Sequence, residues 1–260
     1  MRKRVVVTGL GCVSPVGNNV KDTWQALLAG KSGAAPITAF DASAHKTRFA
    51  AEVTGFDPVA LFGTKDARKM DRFTQLATAA TLEAMEHANF KIDESNRDRV
   101  GILIGSGIGG ILTVIEQYEV MRQRGPDRVS PFLIPMMISD SAAGNIAIRV
   151  GARGPNMSLA TACASGTNAL GEATEMIRRD AADVMIAGAS EAAISAIAMA
   201  GMNVMTALST HNEDPQRASR PFDKNRDGFI MAEGAGILIL ESLEYAQARG
   251  ANILCEFTGY

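Results

Sequence analysis

Short apolar stretches that alternate with amphipathic helical segments constrain this chain more than any other feature. Residues 5–8, 100–104, 157–160, 184–187, 236–240 and 253–258 read as strands. A first helix starts near Asp22, carries Trp24, Leu27 and Leu28 on one face and stops at Gly30. The longest helix is predicted over 65–89, with Phe73, Leu76, Ala77, Ala80 and Met85 along one side. Further helices are expected over 111–124, 141–149, 191–207 and 243–249, while 34–64, with Pro36 and Pro58, reads as an irregular excursion. Strands separated by helices predict an α/β fold, a mixed but mainly parallel sheet with helices on both faces. No internal repeat is visible.

Within that frame one residue carries most of the chemistry. Cys163 lies between the strand ending at Ala160, read as buried, and a helix marked by Leu170, Ala173, Met176 and Ile177. Unpaired N–H groups and the positive end of a helix dipole favour a thiolate at such a turn. Ala162, Ala164, Ser165 and Gly166 are small, so a substrate carbonyl could approach the sulfur. A lone cysteine is more often a small buried hydrophobe. Cys12 and Cys255, each placed in a strand, are assigned that role.

Thr161-Ala-Cys-Ala-Ser-Gly166 resembles the active-site motif of the β-ketoacyl-acyl-carrier-protein synthases, the condensing enzymes of fatty acid synthesis. Val5–Gly11 with Ser14-Pro-Val-Gly17, Gly105–Gly110, Ala207-Leu-Ser-Thr210 and Ser219–Phe229 resemble that family too, in the same order along the whole chain. The resemblance, closest to the elongating bacterial type II member, implies a thiolase-like fold of two similar layered halves. Residues 1–250 are then the first half, with an insertion at 34–64, and residues 251–260 begin a second half that is absent here. It implies a decarboxylative Claisen condensation through an acyl-Cys163 intermediate, with no cofactor and no metal. The partners implied are acyl-carrier protein, acyl and malonyl thioesters and a second copy of the chain. Ile108, Ala198 and Met202 are expected to line the acyl pocket, and Leu133 to reach a neighbouring subunit's pocket. The family's two active-site histidines, its lysine and its Gly-Phe-Gly-Gly gate loop belong to the other half. His45, His87 and His211 match none of them, so this chain alone is expected to acylate at most. A polyketide ketosynthase and a non-catalytic thiolase-fold subunit are the alternatives. Cys163 speaks against the second.

Lys65, Arg68, Lys69 and Arg72 fall at i, i+3, i+4 and i+7, one basic stripe on the predicted long helix. Four like charges together suit an acidic partner. The resemblance assigns carrier-protein docking to Lys65, Arg68 and Lys69.

Composition closes off other classes. Apolar residues at 47% and charged residues at 21% fit a globular core. A net charge of −2 gives nucleic acid no handle, and no run reaches the roughly 18 apolar residues of a membrane span. Cysteines at 12, 163 and 255 lack metal or framework spacing, and Met1-Arg-Lys-Arg4 opens no signal-peptide pattern, so a cytoplasmic setting is expected. Gly105-x-Gly-x-x-Gly110 fits a dinucleotide-binding pattern formally. Asp127 lies in a turn rather than at a strand end, so the glycines are assigned to a tight turn. The run from Asp223 mimics a calcium loop, but its twelfth position is Gly234 and Glu233 comes one residue early. A polar turn tied by Arg226 and Asp227 is expected instead.

Overall fold

The computed structural model describes residues 2–260. β1 (Val5–Val13) leads to α1 (Val20–Leu28), whose first turn is capped by the Asn19 side chain accepting from the Asp22 N–H. A ribbon of β2 (Ala35–Pro36) against β3 (Phe49–Ala50) and the short α2 (Pro58–Phe62) occupy the irregular excursion. Then come α3 (Thr64–Ala67), α4 (Arg72–His87), β4 (Val100–Gly105), α5 (Ile111–Arg124), α6 (Leu133–Met137) and α7 (Ser141–Val150). β5 (Asn156–Leu159), α8 (Ser165–Arg178), β6 (Val184–Glu191) and α9 (Ala196–Val204) follow. β7 (Gly234–Ser242), α10 (Leu243–Ala248) and β8 (Cys255–Glu256) complete the chain.

Among the described residues, six of these strands form one sheet in the order β5-β4-β6-β7-β1-β8. β4 runs parallel to β5 and β6, while β7 opposes β6 and β1, and β8 opposes β1. β1, β4, β5 and β6 therefore share a direction, and the expected mixed sheet is present. The register brings Gly105 beside Leu159 and Ala189, Glu191 beside Gly234, and Val13 beside Ala235. Four strand ends and the start of β7 thus meet at one end of the sheet. Open α/β sheets place ligands at such carboxyl ends.

Alternation sorts the strand residues between two layers. Ile102, Ile104, Val184, Ile186, Ile237 and Ile239 pack with Phe73, Leu76 and Ala80 of α4 and Ile146 of α7. Leu103, Met185, Ala187 and Leu240 pack on the other face with Ala169, Ala173, Met176 and Ile177 of α8. Burial of each large side chain contributes about 1.5–3 kcal/mol. Alanine makes the contact of α4 with β1 close: a Cβ on Gly11 would fall 1.8 Å from the Ala80 carbonyl oxygen. Only glycine fits there.

Four expectations need correction. The helix expected over 65–89 is two, because Asp71 turns the chain out and caps α4 through the Phe73 N–H. The helix expected from 191 starts at Ala196, capped by Ser195, and Glu191 instead ends β6. β5 is an exposed edge strand rather than a buried one, with Met157 40% exposed. The last strand shrinks to Cys255–Glu256 and adds to the free edge of β1, so Cys255 is exposed and not a core residue. Two facing residues give too little pattern to fix its register from sequence.

Candidate active site

Cys163 is reached from β5 through a tight single turn, Ala162–Ala164, which runs directly into α8. Ala162 adopts a left-handed backbone (φ 51°). For a residue with a Cβ this costs about 1–3 kcal/mol, and such strain persists only where surroundings fix it. Ser165 supplies the restraint: its hydroxyl donates to the Ala162 carbonyl at 2.7 Å and accepts from the Thr161 N–H at 2.9 Å. The Ala164 N–H closes the turn on the Thr161 carbonyl. The turn leaves Cys163 exposed.

The sulfur faces a cavity of about 620 Å³ at the sheet end, within the range of small-molecule sites. Ile108, Met202, Phe229 and Met231 give it apolar walls, and Cys12, Ser106 and Glu191 also line it. Of the expected acyl-pocket residues, Ile108 and Met202 are present. Ala198 packs instead against the Met199 cluster with Ile37 and Phe40, one helical turn short of the cavity. Leu133, expected at a neighbouring subunit's pocket, opens α6 outside this cavity.

The three cysteines differ in setting. Burial pushes the Cys12 thiol up, opposed by a hydrogen bond with Thr23, so its thiolate is disfavoured although it borders the cavity. Cys255 is exposed on β8, away from the cavity lining. Cys163 alone combines exposure with the cavity.

A half-buried carboxylate went unnoticed in the sequence. Glu191, at the last position of β6, accepts from the Gly107 N–H at 2.8 Å, the Ile108 N–H at 3.1 Å and the Ser106 hydroxyl at 3.3 Å. The Gly105–Gly110 segment thus bends tightly around a carboxylate, which the tight-turn assignment did not include. Burial pushes the Glu191 carboxyl above the ordinary glutamate range, and the N–H bonds pull only partly back. The one sequence signal was an acidic residue after the apolar run 184–187, which the helix expected from 191 absorbed.

The basic stripe does not survive the break before α4. Arg72 turns inward and holds buried Glu233 through two bonds of 2.7 Å, while donating to the Val53 carbonyl. Lys69 is half-buried over the Phe132 ring, and Lys65 and Arg68 are exposed. Among the described residues neither Lys65 nor Arg68 forms an ion pair. Glu233, the near-miss calcium ligand, is consumed by Arg72, and the polar turn upstream is tied by Arg226 to the Asp223 carbonyl and by Asp227 to the Thr210 N–H. None of the three histidines lines the cavity. The His87 ring accepts from the Leu10 N–H at the end of α4. Among the described residues no helix is long and apolar enough to cross a membrane.

Comparisons with known proteins converge on one family. Residues 2–246 match the model of the β-ketoacyl synthase N-terminal domain. A 3-oxoacyl-[acyl-carrier-protein] synthase 2 from Synechocystis is 50% identical over 259 residues, covering 100% of this chain and 62% of that protein. Its counterpart from Vibrio cholerae is 48% identical over 259 residues, 100% of this chain and 63% of that one. The chain thus spans about 62% of the length of the curated relatives it matches. Among solved structures, the ishigamide ketosynthase/chain length factor superposes with a TM-score of 0.89 at 33% identity, covering 100% of this chain and 63% of that one. A type II PKS acyl-carrier protein in complex with its ketosynthase gives 0.85 at 35% identity, over 98% of this chain and 62% of that one. The thiolase-like ketosynthase fold is therefore shown.

Proposed function

Since the chain belongs to the β-ketoacyl synthase family, we propose that it carries the acyl-accepting half of a condensing enzyme that elongates fatty acids on acyl-carrier protein. One observation supports this reading above the others: an exposed cysteine on a strained, restrained turn at the mouth of an apolar cavity. The Cys163 sulfur attacks the carbonyl carbon of an acyl thioester. The oxyanion that forms is stabilised by the Cys163 N–H, and the carrier's sulfur leaves as a thiolate that takes a proton, giving acyl-Cys163. The apolar walls take the acyl chain, at about 0.8 kcal/mol per buried CH₂.

Carbon dioxide loss from the malonyl thioester, and attack of the resulting carbanion on the acyl group, complete the reaction. No histidine borders the cavity in the described residues, so those steps are assigned to none of them. Carrier docking is assigned to Lys65, Arg68 and Lys69, with Arg72 removed from that surface by its pairing with Glu233. A homodimer and a cytoplasmic setting belong to the same reading, the latter suited to three free thiols. Solved neighbours that are a ketosynthase/chain length factor and a type II PKS ketosynthase also keep a polyketide role within the proposal as the second reading.

Limiting iodoacetamide, with mass mapping, tests the site. Cys163 should react first, and prior incubation with an acyl thioester should protect it. First labelling of Cys12 or Cys255, or no protection, would contradict the reading.

A further inference from the structure

The Gly105–Gly110 turn is held partly by its own Ser106 and partly from another strand. Gly107 and Ile108 are exposed, but both N–H groups point at one Glu191 oxygen. The other oxygen takes the Ser106 hydroxyl, and that hydroxyl in turn accepts from the Gly109 N–H at 2.9 Å. Every free donor from 106 to 109 therefore converges on Glu191 or on the serine it holds. The same turn lies against the nucleophile: a Cβ on Gly107 would come 3.0 Å from the Glu191 carboxylate and 3.6 Å from the Ala162 Cα. Ile108, which this turn carries, is 46% exposed and forms part of the cavity wall. No cation pairs with Glu191 among the described residues, so its carboxylate is free to bind N–H groups alone.

We infer that Glu191 is a positioning residue for acyl-chain recognition: its carboxylate fixes the 106–109 turn, and thereby the Ile108 wall, against the Cys163 turn. This rests on the reading of the cavity as an acyl site. An aliphatic side chain of that length could not accept the two N–H bonds. A glutamine could accept at its carbonyl, but it would turn an amide NH₂ toward the Ser106 hydroxyl or the turn. The wall would then move, and the entry for an acyl chain beside the sulfur would lose its shape, while the sulfur itself stayed in place on its own Ser165-bound turn.

Two measurements on the 260-residue chain decide it. The first compares Cys163 alkylation rates, by mass mapping, for iodoacetamide and for N-octyl iodoacetamide. In the wild type the octyl tail should accelerate labelling about tenfold, because the apolar tail enters the cavity. In Glu191→Gln and Glu191→Ala that ratio should fall most of the way to one. A ratio preserved in both variants overturns the positioning role and leaves the acyl cavity standing. A ratio near one in the wild type overturns both. The second measurement needs no variant, so misfolding cannot obscure it. Amide exchange at Gly107 and Ile108 in the wild type should be slow for exposed residues, since their N–H groups are held by the carboxylate. Exchange as fast as in an open loop overturns the inference.

Discussion

The two ends of the sheet treat a strand glutamate in opposite ways. At the end away from the cavity, Glu241 of β7 is fully buried and takes Arg249 through its Nε at 2.7 Å, with the Thr8 hydroxyl also bonded to it. At the cavity end, Glu191 meets only backbone N–H groups and one hydroxyl. Glu233 stands between them in kind: it lies beside β7 at the cavity end but is neutralised by Arg72 from α4. The lesson is one of purpose. An arginine fills space and locks two elements together, whereas a carboxylate bound to N–H groups shapes a loop and leaves the cavity open. A half-buried carboxylate without a counter-ion is a departure from the most stable arrangement, and such departures concentrate at functional sites.

The largest effect should come from the paired end. Arg249→Ala strands the Glu241 charge in the core and should cost about 3–5 kcal/mol, read as a shift in urea midpoint. Loss below about 1 kcal/mol would show that Glu241 finds another partner and that the two ends are alike. Glu191→Gln should change stability by no more than about 1 kcal/mol, because the Gly107 and Ile108 amides can turn to water.

Acid should separate the ends by sign. Arg99, with Lys3, holds the Asp183 carboxyl at the paired end below the usual range. Its contribution is present above the ordinary aspartate value and is lost as pH falls through the lowered folded value. Glu191 behaves inversely. Burial raises its folded value, so from the ordinary glutamate value upward the unfolded chain ionises first, and stability falls as pH rises through the raised value. Urea titrations across the acid range should show Asp183→Asn converging with the wild type in strong acid. Glu191→Gln should gain on the wild type as pH rises toward neutrality. The same slope for both variants would erase the comparison.

The smallest effect on stability belongs to the exposed charges. Lys65→Glu with Arg68→Glu should stay within about 0.5 kcal/mol of the wild type. Binding of an acidic carrier protein should weaken nonetheless, more so at low salt. Unchanged binding at low salt would make those residues a solvated face.

How far the sequence reached follows the same division. Alternating Ile, Val and Leu in β4, β6 and β7 have a core on both faces, so their pattern announced the sheet. Cys163 was legible because small residues flank it between a strand and a helix. The left-handed Ala162 was not, since alanine carries no mark of positive φ, and only the Ser165 bonds explain it. Arg72 kept perfect helical spacing with Lys65 and still left their surface, because spacing cannot see that Asp71 is a cap. Glu191 was lost the same way: periodicity shows which residues are apolar, not which carboxylate gathers the N–H groups of a distant turn.

The most direct test of the account is the acyl-enzyme itself. The chain is incubated with an acyl thioester of a carrier protein, quenched in acid and mapped by mass. The account predicts one acyl group per chain, on Cys163, absent in Cys163→Ala. An acyl group that maps to Cys12 or Cys255, or that persists in Cys163→Ala, would contradict it.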